Sequence, residues 1–154
     1  RAAGSDPAAL RSYVEEVSRR TGYLPGDAAG RAFDRVLAAA CVRAASLRHA
    51  GLLQRVYTPQ GGFQVQRGKD LRQVRRLVGS GGYLAGETDS AILIEACPKD
   101  ADDIDTHHLV PDAPDCYADA EYLIPLLGNL AADFPGAAAR AAVAGLRPLT
   151  PPAN

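Results

Sequence analysis

The sequence predicts an α+β domain, and three observations carry that reading. Two stretches with helical periodicity come first, over about 6–20 and 27–50. Stretches that alternate with period two, or run apolar for a few residues, follow from residue 56 onward. Short helices and loops separate them, with no repeating strand–helix–strand rhythm. With 154 residues, 47% of them hydrophobic and 23% charged, the chain can bury one core. It is read as one domain over 1–154, with N-terminal helices at about 6–50, a mixed core at about 56–145 and an irregular Pro-rich tail at 148–154.

Asp6-Pro7 opens the first helix, with a capping carboxylate followed by a proline at the position where its missing N–H costs nothing. Leu10, Tyr13, Val14 and Val17 form its apolar face, Thr21-Gly22 ends it, and Pro25-Gly26 turns the chain. A second helix from Asp27 to Ala50 lines up Phe33, Val36, Leu37, Ala40, Cys41, Ala44 and Leu47. After Gly51, Val56-Tyr57 leads into a turn over Thr58 to Gly62, and Phe63 to Arg67 alternates as a strand. Asp70 to Val78 is expected to be a short amphipathic helix closed by Gly79-Ser80-Gly81-Gly82, and Ala91 to Cys97 a buried strand halted by Pro98. An acidic stretch, Asp100 to Asp105, leads into a loop with His107-His108. Tyr117 to Ile124 is expected to be a strand stopped by Pro125, and 136–145 an Ala-rich helix.

Composition excludes several classes. The 17 basic and 18 acidic side chains give a formal net charge of -1, so no global field favours nucleic acid. No uncharged apolar run reaches the roughly 18–20 residues that cross a bilayer, and a soluble chain without a membrane span is expected. Cys41, Cys97 and Cys116 are odd in number and lack metal-type spacing, which favours reduced thiols. Asp100, Asp102, Asp103 and Asp105 lack the glycine and distal glutamate of a calcium loop, and no metal site is expected. His107 and His108 would face opposite ways on a strand. There is no Met and the chain starts at Arg1, which is read as a trimmed segment; the scarcity of lysine beside abundant Arg and Ala is read as bacterial coding bias.

Two constellations stand out. On the strand 63–67, Arg67 shares a face with Phe63 and Val65, and Gly68 after it permits close approach to the backbone. Both suit a guanidinium gripping a phosphate, although pairing with a surface carboxylate is the simpler role for the arginine taken alone. On the expected strand 117–124, Asp119 and Glu121 fall on one face. Such a pair is tolerated where solvent, substrate or a cation fills the space, or simply on an exposed edge.

Taken in order, Gln66-Arg67-Gly68, a short helix, a Gly-rich turn with an aromatic, an apolar strand, and Asp119-Ala120-Glu121-Tyr122-Leu123-Ile124-Pro125 resemble the Arg…Glu-x-Glu type of the mono-ADP-ribosyltransferase superfamily. The resemblance covers roughly 63–125. It implies that family's split β-sheet core preceded by N-terminal helices, with NAD+ as co-substrate and no metal. The same resemblance implies that Arg67 and Gly68 bind pyrophosphate and that Glu121 stabilises the oxocarbenium-like transition state. Asp119 would orient or deprotonate the nucleophile, and Tyr83 would stack on a ring of the cofactor. The family's Ser-Thr-Ser strand is absent, since Tyr83-Leu84 is followed by Ala85-Gly86-Glu87; Thr88 or Ser90 would have to substitute. Asp119 is one methylene shorter than the family's glutamate. The implied protein is a monomeric bacterial toxin, similar to type III effectors of plant pathogens. It would be secreted into the host cytoplasm, would modify a host protein and would not bind nucleic acid. The alternative is an inactive version of the same fold that acts as a binding module.

Overall fold

The computed structural model describes residues 6–98 and 105–151. The chain divides into two packing units, 1–41 and 42–154, with the boundary inside the second helix. In the first unit, α1 (Pro7–Arg19) opens as the sequence predicts, with the Asp6 carboxylate accepting the Ala8 N–H at 2.9 Å. Asp27 likewise accepts the Gly30 N–H at 2.7 Å and starts α2 (Ala28–His49). The unit is held by aromatics. The Tyr13 ring packs against Phe33 (centroids 5.2 Å apart) and edge-on to Tyr23 (6.2 Å), while its hydroxyl donates to Asp34 at 2.7 Å. Burial and the Asp34 carboxylate together push that hydroxyl far above its ordinary pKa.

The second unit contains two three-stranded sheets. The first has the order β2-β1-β4. Here β1 (Leu52–Thr58) and β2 (Gly61–Arg67) form an antiparallel hairpin with Val56 opposite Phe63 and Leu52 opposite Arg67. The third strand, β4 (Thr106–His108), pairs with β1 and sets His107 against Leu53 and His108 against Leu52. The expected loop around the histidines is therefore a short strand, and the two rings alternate across it. Gly51 and Gly68 cross backbone to backbone at the open end of this hairpin, and a Cβ on Gly51 would collide with the main chain at Arg67 to Lys69. The close approach anticipated at Gly68 is thus made by the chain itself.

The second sheet has the order β3-β5-β6, with β3 (Arg76–Gly79) parallel to β5 (Asp115–Asp119) and β6 (Leu146–Pro148) antiparallel to β5. Between β3 and β5 run α3 (Gly82–Ala85), α4 (Ala91–Glu95) and β4; after β5 come α5 (Ile124–Leu130) and α6 (Pro135–Ala144). The core gathers here: Ile92, Leu93 and Ala96 of the α4 segment, Leu109 and Val110, Cys116 and Ala118 of β5, and Ala138 of α6 are all buried. All three cysteines are outside disulfides.

Several expectations are corrected. The helix over 70–78 does not form. Val74 closes a turn on Leu71, and Arg76–Gly79 becomes a strand because β5 supplies its ladder partners. The apolar run 91–97 opens as the helix α4 and leaves it at Ala96, with no strand; Ile92 and Leu93 of the helix and Ala96 just after it are buried, a spacing a short run cannot distinguish from a strand. The strand expected over 117–124 begins at Asp115 and ends at Asp119, and Pro125 sits in the first turn of α5 rather than ending a strand. The tail is more ordered than expected, since Leu146–Pro148 pairs with β5 and Thr150 bridges to Asp89. Asp100, Asp102 and Asp103 lie outside the described residues.

Candidate functional site

The parallel pair β3 and β5 ends at Gly79 and Asp119, and an organised polar cluster lies at these carboxyl ends. Leaving β3, the chain enters Ser80-Gly81-Gly82 and then the single turn α3. Leaving β5, it turns through Ala120-Glu121-Tyr122 into α5. Asp119, 2% exposed, ties the two exits together. Its Oδ2 accepts the Ser80 hydroxyl at 2.8 Å and the Ile124 N–H at 3.0 Å, and its Oδ1 accepts the Leu123 N–H at 2.9 Å. Burial by itself would raise this carboxyl, but the three donors, Ile124 first, together outweigh it and hold the group below the ordinary aspartate value. Asp119 is an ionised anchor with both oxygens engaged, which is a different office from receiving a proton.

A second clamp comes from β6. The Arg147 guanidinium donates from Nη2 to the Ala85 carbonyl at 2.9 Å and the Glu87 carbonyl at 2.7 Å, fixing the segment that follows α3. Thr150 continues this clamp: its N–H and hydroxyl reach the Thr88 carbonyl, each at 3.2 Å, and its own carbonyl accepts the Ser90 N–H at 2.9 Å. Between the clamps the glycine loop is open. Gly81 has φ 132, a conformation that favours glycine, and a Cβ on Gly81 or Gly82 would meet nothing within 4 Å.

The residues singled out in the sequence fall apart into separate places. Arg67 is exposed at the end of β2 in the first sheet, followed by Gly68 at the Gly51 crossing. Glu121 is exposed in the turn after β5, no longer on a strand and so not side by side with buried Asp119. Tyr83, 38% exposed, sits in α3; Thr88 is exposed, and Ser90 is buried beside the Thr150 bridge. Asp119, Tyr83, Thr88 and Ser90 thus belong to the second sheet and its clamps, whereas Arg67 and Gly68 belong to the hairpin. Ser80 and Arg147 were not singled out. Ser80 stood inside a conspicuous glycine cluster and could have been suspected, while nothing around Arg147 distinguishes it locally.

A polar groove of about 340 Å³ opens at the opposite, amino-terminal end of β3 and β5, lined in part by Arg72, Arg75, Asp112 and Asp115. Arg72 is committed to Asp70 through bonds of 2.9 and 2.6 Å, which hold that carboxyl down at about 2. Among the described residues no three metal-ligating side chains cluster, and no helix is long and apolar enough to cross a membrane.

Comparison with known proteins corrects the family. Residues 1–144 match the family described as MutL protein. A curated relative, Protein MutL of Clostridium tetanomorphum, is 35% identical over 108 residues, which is 70% of this chain and 23% of the relative. No solved structure matches. These findings overturn the resemblance to mono-ADP-ribosyltransferases, and with it the effector, toxin and host-delivery readings and the inactive-fold alternative. The physical reason is that the resemblance needed an Arg strand and an acid-x-Glu strand, and the structure supplies only the first. NAD+ entered with that resemblance and has no separate support in the positions of Arg67 and Glu121. The chain spans about a quarter of its curated relative's length and belongs to the MutL protein family.

Proposed function

We propose that this stretch of a MutL-family protein carries a binding edge for a small phosphate-bearing ligand, formed by the glycine loop 79–82 at the carboxyl ends of β3 and β5. Ligands of α/β sheets bind outside the carboxyl ends of parallel strands, and glycine-rich turns leaving such strands let peptide N–H groups approach phosphate oxygens closely. The observation that carries the reading is the combination of rigidity and vacancy. The loop is pinned by Asp119 on one side and its continuation by Arg147 on the other, yet the space over Gly81 and Gly82 is open. With a formal net charge of -1 the chain offers no bulk attraction, so recognition would rest on this local geometry.

The test is calorimetric titration of the whole chain with inorganic pyrophosphate, ATP and NAD+ in separate runs, repeated on Gly82→Leu. Position 82 has room for a side chain, so the variant should melt like wild type while filling the cradle. Binding of at least one probe by wild type and its loss in Gly82→Leu is the expected result. Heat from none of the three, or equal binding by both proteins, overturns the proposal. The NAD+ and ATP arms separate the two ring-bearing sources of the same phosphate chemistry.

A further inference from the structure

We propose that Tyr122 is the aromatic platform of this edge, on which a planar ring carried by the phosphate-bearing ligand stacks; the proposal rests on the reading of the glycine loop given above. Tyr122 has φ 54, the one positive value at a non-glycine position among the described residues. For a bulky aromatic this is a strained conformation, of the kind retained where surrounding structure and use over-determine it.

The turn explains why the backbone bends there. The Tyr122 N–H donates to the Asp119 carbonyl at 3.0 Å, and the reversal delivers the next two N–H groups, of Leu123 and Ile124, onto the Asp119 carboxylate. It does not explain why the residue is tyrosine. Glycine or asparagine would make the same turn with less strain. Nor does the buried core require it, since Tyr122 is 49% exposed and stands outside that core.

What distinguishes the position is its place. It lies three residues beyond the carboxylate that holds Ser80, at the same end of the sheet as the open glycines. A half-exposed ring there offers a face to a flat partner while the loop takes the phosphate. The groove at Arg72 and Asp112 lies at the other end of the strands and plays no part.

The experiment compares pyrophosphate, which has no ring, with ATP, which carries one aromatic base, and NAD+, which carries two, on wild type, Tyr122→Gly and Tyr122→Phe. Tyr122→Gly should melt within a few degrees of wild type, since relief of the strained φ opposes the added freedom of the unfolded chain. It should bind pyrophosphate as wild type does and lose about tenfold in affinity for the ring-bearing probe, the scale of one base–aromatic stack. Tyr122→Phe should keep that affinity. If ATP and NAD+ bind Tyr122→Gly as tightly as wild type while Gly82→Leu abolishes binding, the platform is wrong and the loop stands. If pyrophosphate binds and neither ring adds affinity in wild type, the platform is likewise wrong. If no probe binds wild type, the loop reading fails and the platform falls with it.

Discussion

The two sheets of residues 42–154 are built on opposite principles. The β2-β1-β4 sheet grows from a local hairpin, its strands are mostly exposed, and Val56 and Phe63 face each other across it with 38% and 51% exposure. The β3-β5-β6 sheet joins strands distant in sequence and includes a parallel pair. It holds the fully buried Ala118 and Asp119, and Ile92 of the α4 segment belongs to the same buried core. The cost of closing long loops is met there by burial and by charge-assisted hydrogen bonds. One sheet is thus tolerant of change and the other is not, and the proposed ligand edge lies on the intolerant one.

Substitutions can break or sharpen that contrast. Ile92→Ala, at 1% exposure, should cost about 2–5 kcal/mol, read as a lowered urea midpoint. Asp119→Ala strands a hydroxyl and two N–H groups and should cost on the order of 3 kcal/mol by the same measure. Its acid dependence gives a finer reading. The folded carboxyl titrates below its unfolded value, so its stabilisation is complete above about pH 4 and fades as pH falls through the folded value. Asp119→Asn should flatten that acid limb of the stability profile, and an unchanged limb would show that the anchor is not ionised.

Arg147→Ala should cost about 1–2 kcal/mol and speed hydrogen exchange at the Ser90 amide, which bonds Thr150 just beyond β6. Phe63→Thr should change stability by no more than about 0.5 kcal/mol. A loss at Phe63 as large as that at Ile92 would erase the distinction between the sheets.

The same division governs what the sequence reveals. The features legible in it are those that neighbours in sequence determine: the Asp6-Pro7 cap, the long α2, the 58–62 turn with its strand into Arg67, and the Ala-rich α6. The misread elements depend on distant partners. Nothing local tells Arg76–Gly79 that β5 will pair with it, and the alternation into Asp119 gives no notice that the chain reverses at Tyr122. The candidate site was half visible. Asp119 and the glycine cluster could both be picked out, but their link through Ser80 is a tertiary bond, and the parity that placed Glu121 beside Asp119 assumed a strand that had already ended. Short motifs such as Arg-Gly and acid-x-Glu fix too few positions to survive that error.

Cys116 lies in the middle of the intolerant sheet, 7% exposed, its thiol pushed up by burial and by the neighbouring Asp115 charge, while Cys41 is exposed. Burial and the raised pKa both slow the reaction of such a thiol while β5 stays paired with its neighbours. The chain therefore carries its own stopwatch: under an alkylating reagent Cys41 marks time zero, and the lag before Cys116 takes up label reads directly how often the strand at the heart of the proposed site comes apart.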